Sequence, residues 1–84
     1  FMATPDEFFK PNAALLEKLS RQVRAYRKRH AMTQAQLAEA SGFHEKFIQS
    51  LETRRRNLSL SAFVQLAKGM KISPTTLLGR LLRP

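Results

Sequence analysis

The chain has no cysteine and no tryptophan, and only three glycines and four prolines in 84 residues. Without cysteine there is no disulfide framework, no thiolate zinc site and no thiol nucleophile. No apolar run approaches the roughly 18 residues that cross a bilayer. The opening FMATPDEFF has neither the basic start nor the long apolar stretch of a signal peptide, and Phe1 ahead of Met2 reads as a cloning remnant. Acidic residues are scarce as well. Six Asp+Glu face fifteen Lys+Arg, giving a net charge of +9 and a pI near 11.3. Such an excess points to a polyanionic partner, either nucleic acid or an anionic membrane surface.

What is present fits one small domain and excludes a multi-domain enzyme or a separate ligand domain, so no small-molecule ligand is expected. With 43% hydrophobic and 25% charged residues the composition is that of a folded protein. His30 and His44 are not at metal-ligand spacing, and no phosphate-cradling glycine loop, G-x-S-x-G elbow or paired-carboxylate motif occurs. The chain is therefore expected to be no enzyme and to hold no metal or cofactor. A cytoplasmic location fits a small bridge-free domain.

The positive charge is clustered. Arg21, Arg24, Arg27, Lys28 and Arg29 form one block, and Arg54, Arg55 and Arg56 a second. Between them, residues 30–53 hold one lysine, Lys46, against three glutamates, Glu39, Glu45 and Glu52. Two basic blocks flank a slightly acidic middle.

The periodicity predicts an all-α fold of five helices. Asn12 caps the first, over about Ala13 to Arg29, with Leu15, Leu16, Leu19, Val23 and Tyr26 on one arc. Arg21, Arg24 and Lys28 fall on the opposite side, and Arg27 on the apolar border. Thr33 starts a second helix with Gln36 placed as its capping-box partner, and Ser41-Gly42 ends it. A third, about His44 to Thr53, buries Phe47, Ile48 and Leu51 beside Phe43, with His44 as a cap or first-turn residue. It turns Glu45, Lys46 and Gln49 outward, with Ser50 and Glu52 at the borders. Packing is the expected role of Phe47, ahead of contact with a thymine methyl. A fourth, Leu60 to Gly69 behind Ser59, places Leu60, Phe63, Val64 and Ala67 at helical spacing. Ser73 is expected to cap the last, with Pro74 in its first turn. Leu77, Leu78, Leu81 and Leu82 are more leucines than one side of so short a helix buries, so this helix is the expected dimer interface.

Residues 33–52 are thus a short helix, a glycine-containing turn and a second short helix with a polar face. That is the helix-turn-helix arrangement, whose second helix reads base edges in the major groove while basic flanks grip phosphates. The string Thr33-Gln34-Ala35-Gln36-Leu37-Ala38, then Gly42, then Phe47-Ile48-Gln49-Ser50-Leu51-Glu52 resembles the Cro/repressor-type helix-turn-helix family of phage lambda relatives. Arg56-Asn57-Leu58-Ser59-Leu60 extends the likeness, which covers about residues 19–82. It is most similar to controller proteins of restriction–modification systems and to small phage repressors.

The resemblance implies a compact lambda-repressor-like domain and a homodimeric, sequence-specific regulator of transcription. It implies that Gln34 hydrogen-bonds the DNA backbone, and that Glu45, Lys46, Gln49 and Ser50 face bases or nearby phosphates. It further implies that Arg54, Arg55, Arg56 and Asn57 lie along the phosphates, and that Arg27 and Glu52 form a structural ion pair. Many relatives carry glycine where Arg54 stands. Residues 1–11 are expected to be a flexible N-terminal segment and residues 12–84 the domain. Two other readings compete. One is an antitoxin-like module that binds a toxin partner through Phe8, Phe9 or the terminal leucines, and binds DNA as well. The other is a membrane-surface protein using the basic, amphipathic first helix.

Overall fold

Four of the five described helices start where a side chain satisfies a free first-turn N–H group. In the computed structural model, which describes residues 10–54 and 56–83, the Asn12 Oδ1 accepts from the Leu15 N–H at 3.0 Å and opens α1, Ala13–Arg29. Thr33 and Gln36 form a reciprocal capping box at α2, Gln34–Ser41: Thr33 Oγ1 accepts from the Gln36 N–H, and Gln36 Oε1 from the Thr33 N–H. His44 Nδ1 accepts from the Lys46 N–H at the start of α3, Glu45–Glu52. Ser59 Oγ accepts from the Ala62 N–H before α4, Leu60–Gly69. The last helix, α5, is Pro74–Leu81. Here the expectation fails in detail. Ser73 occupies the capping position but makes no side-chain cap bond, and Pro74 reduces the need by removing one N–H.

The ends are equally determined. After α1, the Met32 N–H reaches back to the Arg27 carbonyl at 2.8 Å while Ala31 takes φ +53°. After α4, the Ile72 N–H bonds the Ala67 carbonyl at 3.0 Å while Lys71 takes φ +54°. Both are left-handed helix terminations of a kind usually built with glycine.

The helices enclose one core. Val23, Leu37, Ile48, Leu66, Ala67 and Leu77 have no measurable exposure, and Leu19, Leu51, Met70 and Leu81 are buried beside them. α2 packs on α3 and α4, α1 on α3 and α5, and α4 on α5. The α2–α4 crossing is tight. A Cβ built on Gly69 would lie 2.5 Å from the Ser41 Cβ, so only glycine allows this approach. None of the described helices is long and apolar enough to cross a membrane.

Two expectations for the apolar surface are corrected. Leu77 and Leu81 close the chain's own core and cannot form a dimer interface, whereas Leu78 and Leu82 are 43% and 65% exposed. Leu60, placed by periodicity on the inner arc of α4, is 80% exposed, because the first turn of α4 overhangs the core. With Leu15, Leu16, Phe63, Val64 and Leu78 it lines an apolar groove of about 460 Å³. Phe8 and Phe9 lie outside the described residues.

Candidate nucleic-acid interface

The two helices of the motif are fixed by their turn. Gly42 takes φ +74° at the end of α2, and the Phe43 N–H closes back on the Ala38 carbonyl at 2.9 Å. From α4, Gln65 Nε2 donates to the Ser41 carbonyl at 2.7 Å and the Gly42 carbonyl at 3.2 Å. One side chain thus satisfies two carbonyls left free by the end of α2. Sequence reasoning misses Gln65, since nothing in its spacing marks it as a partner of a distant turn.

α3 then presents two faces. Ile48 and Leu51 are buried in the core, and Phe47 is half-buried against Phe43, with ring centroids 4.4 Å apart. Glu45, Lys46 and Gln49 are exposed together on the opposite side. Ser50 is less available than expected. It is half-buried, and its Oγ donates to the Phe47 carbonyl of its own helix at 2.8 Å, leaving the hydroxyl oxygen only as an acceptor.

The C-terminal end of α3 converges on Glu52. Its side chain is 5% exposed, and the carboxylate takes Arg27 Nε on one oxygen at 2.7 Å and Arg27 Nη2 on the other at 2.8 Å. Gln34 Nε2 adds a third donor at 3.2 Å. Arg27 also donates through Nη1 to the Met32 carbonyl at 3.0 Å, tying the α1 terminus to the same point. The hydrogen bond with Glu52, working against the cost of burial, holds the Arg27 guanidinium above its ordinary pKa. Gln34 is therefore half-buried, with one Nε2 hydrogen committed inside the protein and the other, with its carbonyl oxygen, left for a phosphate or water.

Arg24 overturns its expected place. Helical phase alone sets it on the outer side of α1, yet it is half-buried. Its guanidinium Nη1 donates to Ser20 Oγ at 2.6 Å and to the Glu52 carbonyl. The long stem folds over the end of α3, which a wheel that treats side chains as radial points does not show.

The following loop is basic and partly anchored. Arg54 takes φ +64°, a left-handed conformation that glycine adopts more readily than arginine. Its guanidinium pairs with Glu17 on α1, which also holds Arg21 at 3.0 Å. Desolvation pushes the Glu17 carboxyl up, but these two guanidinium groups outweigh it and hold the pKa below its ordinary value. Arg56 is exposed, with its guanidinium 5.0 Å above the Phe47 ring centroid, so a cation–π contact sets it beside α3. Asn57 is exposed, and Arg55 lies outside the described residues.

The arrangement offers carboxylate, ammonium and amide groups along one short helix, with guanidinium groups next to it. These are the donors and acceptors that discriminate base edges in a major groove.

A family model described as helix-turn-helix matches residues 23–77. The control protein C.SmaI of Serratia marcescens is 44% identical over 64 residues, which is 76% of each chain. The crystal structure of the restriction–modification controller protein C.AhdI from Aeromonas hydrophila is 31% identical with a TM-score of 0.68, covering 74% of this chain and 94% of that one. The controller protein C.Esp1396I, crystallised as a tetramer with its natural 35 base-pair operator, is 29% identical with a TM-score of 0.70, covering 82% of this chain and 96% of that one. The chain belongs to the helix-turn-helix family, among the control proteins of restriction–modification systems.

Proposed function

We propose that this chain regulates transcription by binding a specific double-stranded DNA operator as a homodimer, with α3 in the major groove. The observation that carries this reading is the exposed Glu45–Lys46–Gln49 face on a helix whose far end is locked to α1 and α2 through Glu52. Gln49 reads adenine through its amide, Lys46 donates to guanine, and Glu45 accepts from cytosine while repelling phosphate. Arg54, Arg55, Arg56 and Asn57 run along the backbone, and Gln34 adds a contact at the start of α2. The dimer forms through the apolar groove between α1, α4 and α5, with Leu60 and Leu78 at its rim.

This reading gives the chain no catalytic activity and places it in the cytoplasm with its target. An operator-bound structural relative and a control-protein homologue favour it over a toxin-binding module.

Selection of duplexes from a randomised pool tests it. The expected product is an inverted repeat with half-site centres about 34–36 Å apart on one DNA face. Gln49→Ala and Lys46→Ala should each cost about 1–3 kcal/mol on that duplex and little on random DNA. Log affinity should fall against log salt with a slope of about −0.9 per neutralised phosphate. A pool that yields no enriched sequence refutes the reading.

A further inference from the structure

The Glu52 carbonyl at the end of α3 has two side-chain donors. Ser20 Oγ donates to it at 2.9 Å, and Arg24 Nη1 donates to it while also donating to Ser20 Oγ. Ser20 has no measurable exposure and Arg24 is half-buried. Both come from α1, one helical turn apart on the same face.

The last carbonyls of a helix have no partner within it, and the partial negative charge of the helix terminus gathers there. A guanidinium placed at that terminus makes a charge-assisted bond, stronger than a neutral one. The Glu52 side chain is held separately by Arg27 and Gln34. The carboxylate contacts fix where Glu52 sits, and the carbonyl contacts fix the direction in which the helix axis leaves it. A short helix of 8 residues pinned at both main chain and side chain of one terminal residue has little freedom to tilt.

We propose that Ser20 and Arg24 are positioning residues for operator recognition: by clamping the Glu52 carbonyl they set the tilt of α3, and with it the reach of Glu45, Lys46 and Gln49 to base edges. Neither reads a base. This rests on α3 being the reading helix. Base contacts depend on sub-ångström placement, whereas phosphate contacts tolerate small tilts, so loss of the clamp should erode specificity ahead of general affinity.

The two residues make the test decisive, because a fully buried Ser20 cannot touch DNA. Ser20→Ala and Arg24→Met are measured on the duplex selected by the wild-type protein and on a random duplex of equal length, across a salt series, below the melting temperature of each variant. Each substitution should weaken operator binding about tenfold, the effect of base contacts on α3 being drawn out of place. Random-duplex affinity and the salt slope should stay at wild-type values. The double variant should lose more than the product of the two, because each single variant leaves the Glu52 carbonyl one donor and only the double variant leaves it with neither. Arg24→Lys, which keeps the charge at the helix terminus, should recover part of the operator affinity.

Two results overturn the proposal. One is a Ser20→Ala variant with wild-type discrimination between the two duplexes; this result decides even if Arg24→Met does not fold. The other is an Arg24→Met variant that weakens both duplexes equally and lowers the salt slope, which would make Arg24 a phosphate contact. A wild-type protein with no preference between duplexes instead refutes the reading of α3 and is seen before any variant is made.

Discussion

Arg27 and Glu52 meet in a two-pronged pair, Nε to Oε2 at 2.7 Å and Nη2 to Oε1 at 2.8 Å, with the Glu52 side chain 5% exposed and the Arg27 side chain 17% exposed. Removing the arginine leaves a carboxylate in the interior whose remaining donor is Gln34 at 3.2 Å. Breaking a buried pair from one side costs about 3–5 kcal/mol. That is a large share of the roughly 5–15 kcal/mol that holds a domain folded. Arg27→Ala should therefore lower the melting temperature sharply. Arg21→Ala, whose side chain is 68% exposed, should lower it far less. Calorimetry on both variants checks this; equal small shifts would show that the pair adds little. Arg24 is not a suitable surface comparison, because it is bound to Ser20 and Glu52.

Two glycines in helices should respond in opposite ways to alanine. At Gly69 the added methyl would lie 2.5 Å from Ser41 Cβ and 2.7 Å from its Cα, atoms that cannot move without shifting α2. Overpacking of this kind costs about 1–3 kcal/mol, more than the helix propensity gained. At Gly79, on the exposed side of α5, nothing lies within 4 Å of the added carbon. Gly79→Ala should raise stability by about 0.5–1 kcal/mol through propensity alone. Denaturant melts of both variants give the signs directly. A stabilised Gly69→Ala would mean that α2 and α4 do not approach as closely as described.

These glycines also show what the sequence discloses. Helix bounds at Ala13–Arg29 and Leu60–Gly69 follow from caps and periodicity, which are local properties. So does the outward set Glu45, Lys46 and Gln49 on α3, and the border placement of Arg27 and Glu52. Gly69 reads only as a helix end, because its contact with Ser41 depends on how α2 crosses α4. Gln65 and Ser20 escape notice for the same reason: each serves a carbonyl 24 or 32 residues away. Arg24 is misplaced because helical phase ignores the length of an arginine stem. Leu60 is misplaced because a wheel carries no information about where along its axis a helix leaves the core.

Glu17 gives the domain a dependence on acid. Desolvation raises its folded pKa, but Arg54 and Arg21 more than offset this and leave it below its ordinary value. A depressed carboxylate stabilises the fold at pH above its ordinary value of 4.5, and that contribution fades as pH falls through the folded pKa. Glu17→Gln should thus lower stability near neutrality, and the difference from wild type should shrink toward zero on the acid side. Thermal melts of both proteins across that range check it. A difference that stays constant with pH would assign the effect to lost packing rather than lost charge.

The dimer surface carries the last prediction. Leu60 is 80% exposed and Leu78 43%, and both line one apolar groove with Leu16, Phe63 and Val64. An exposed apolar groove on so basic a chain costs solubility unless something covers it. A two-fold dimer covers it twice with the same residues and sets two reading helices on one side of the duplex. Charging the last leucine pair would be a poor test, because Leu81 is 3% exposed and its loss would open the core. Leu60→Glu with Leu78→Glu leaves every fully buried residue in place. Sedimentation at micromolar concentration should show the wild type as a dimer and the double variant as a monomer with unchanged helical circular dichroism. The monomer should lose most affinity for the full inverted repeat yet bind a single half-site about as well as the wild-type protein does, since α3 is untouched. A double variant that still sediments as a dimer would move the interface to Leu82 and the end of α5, where 65% of that leucine is open.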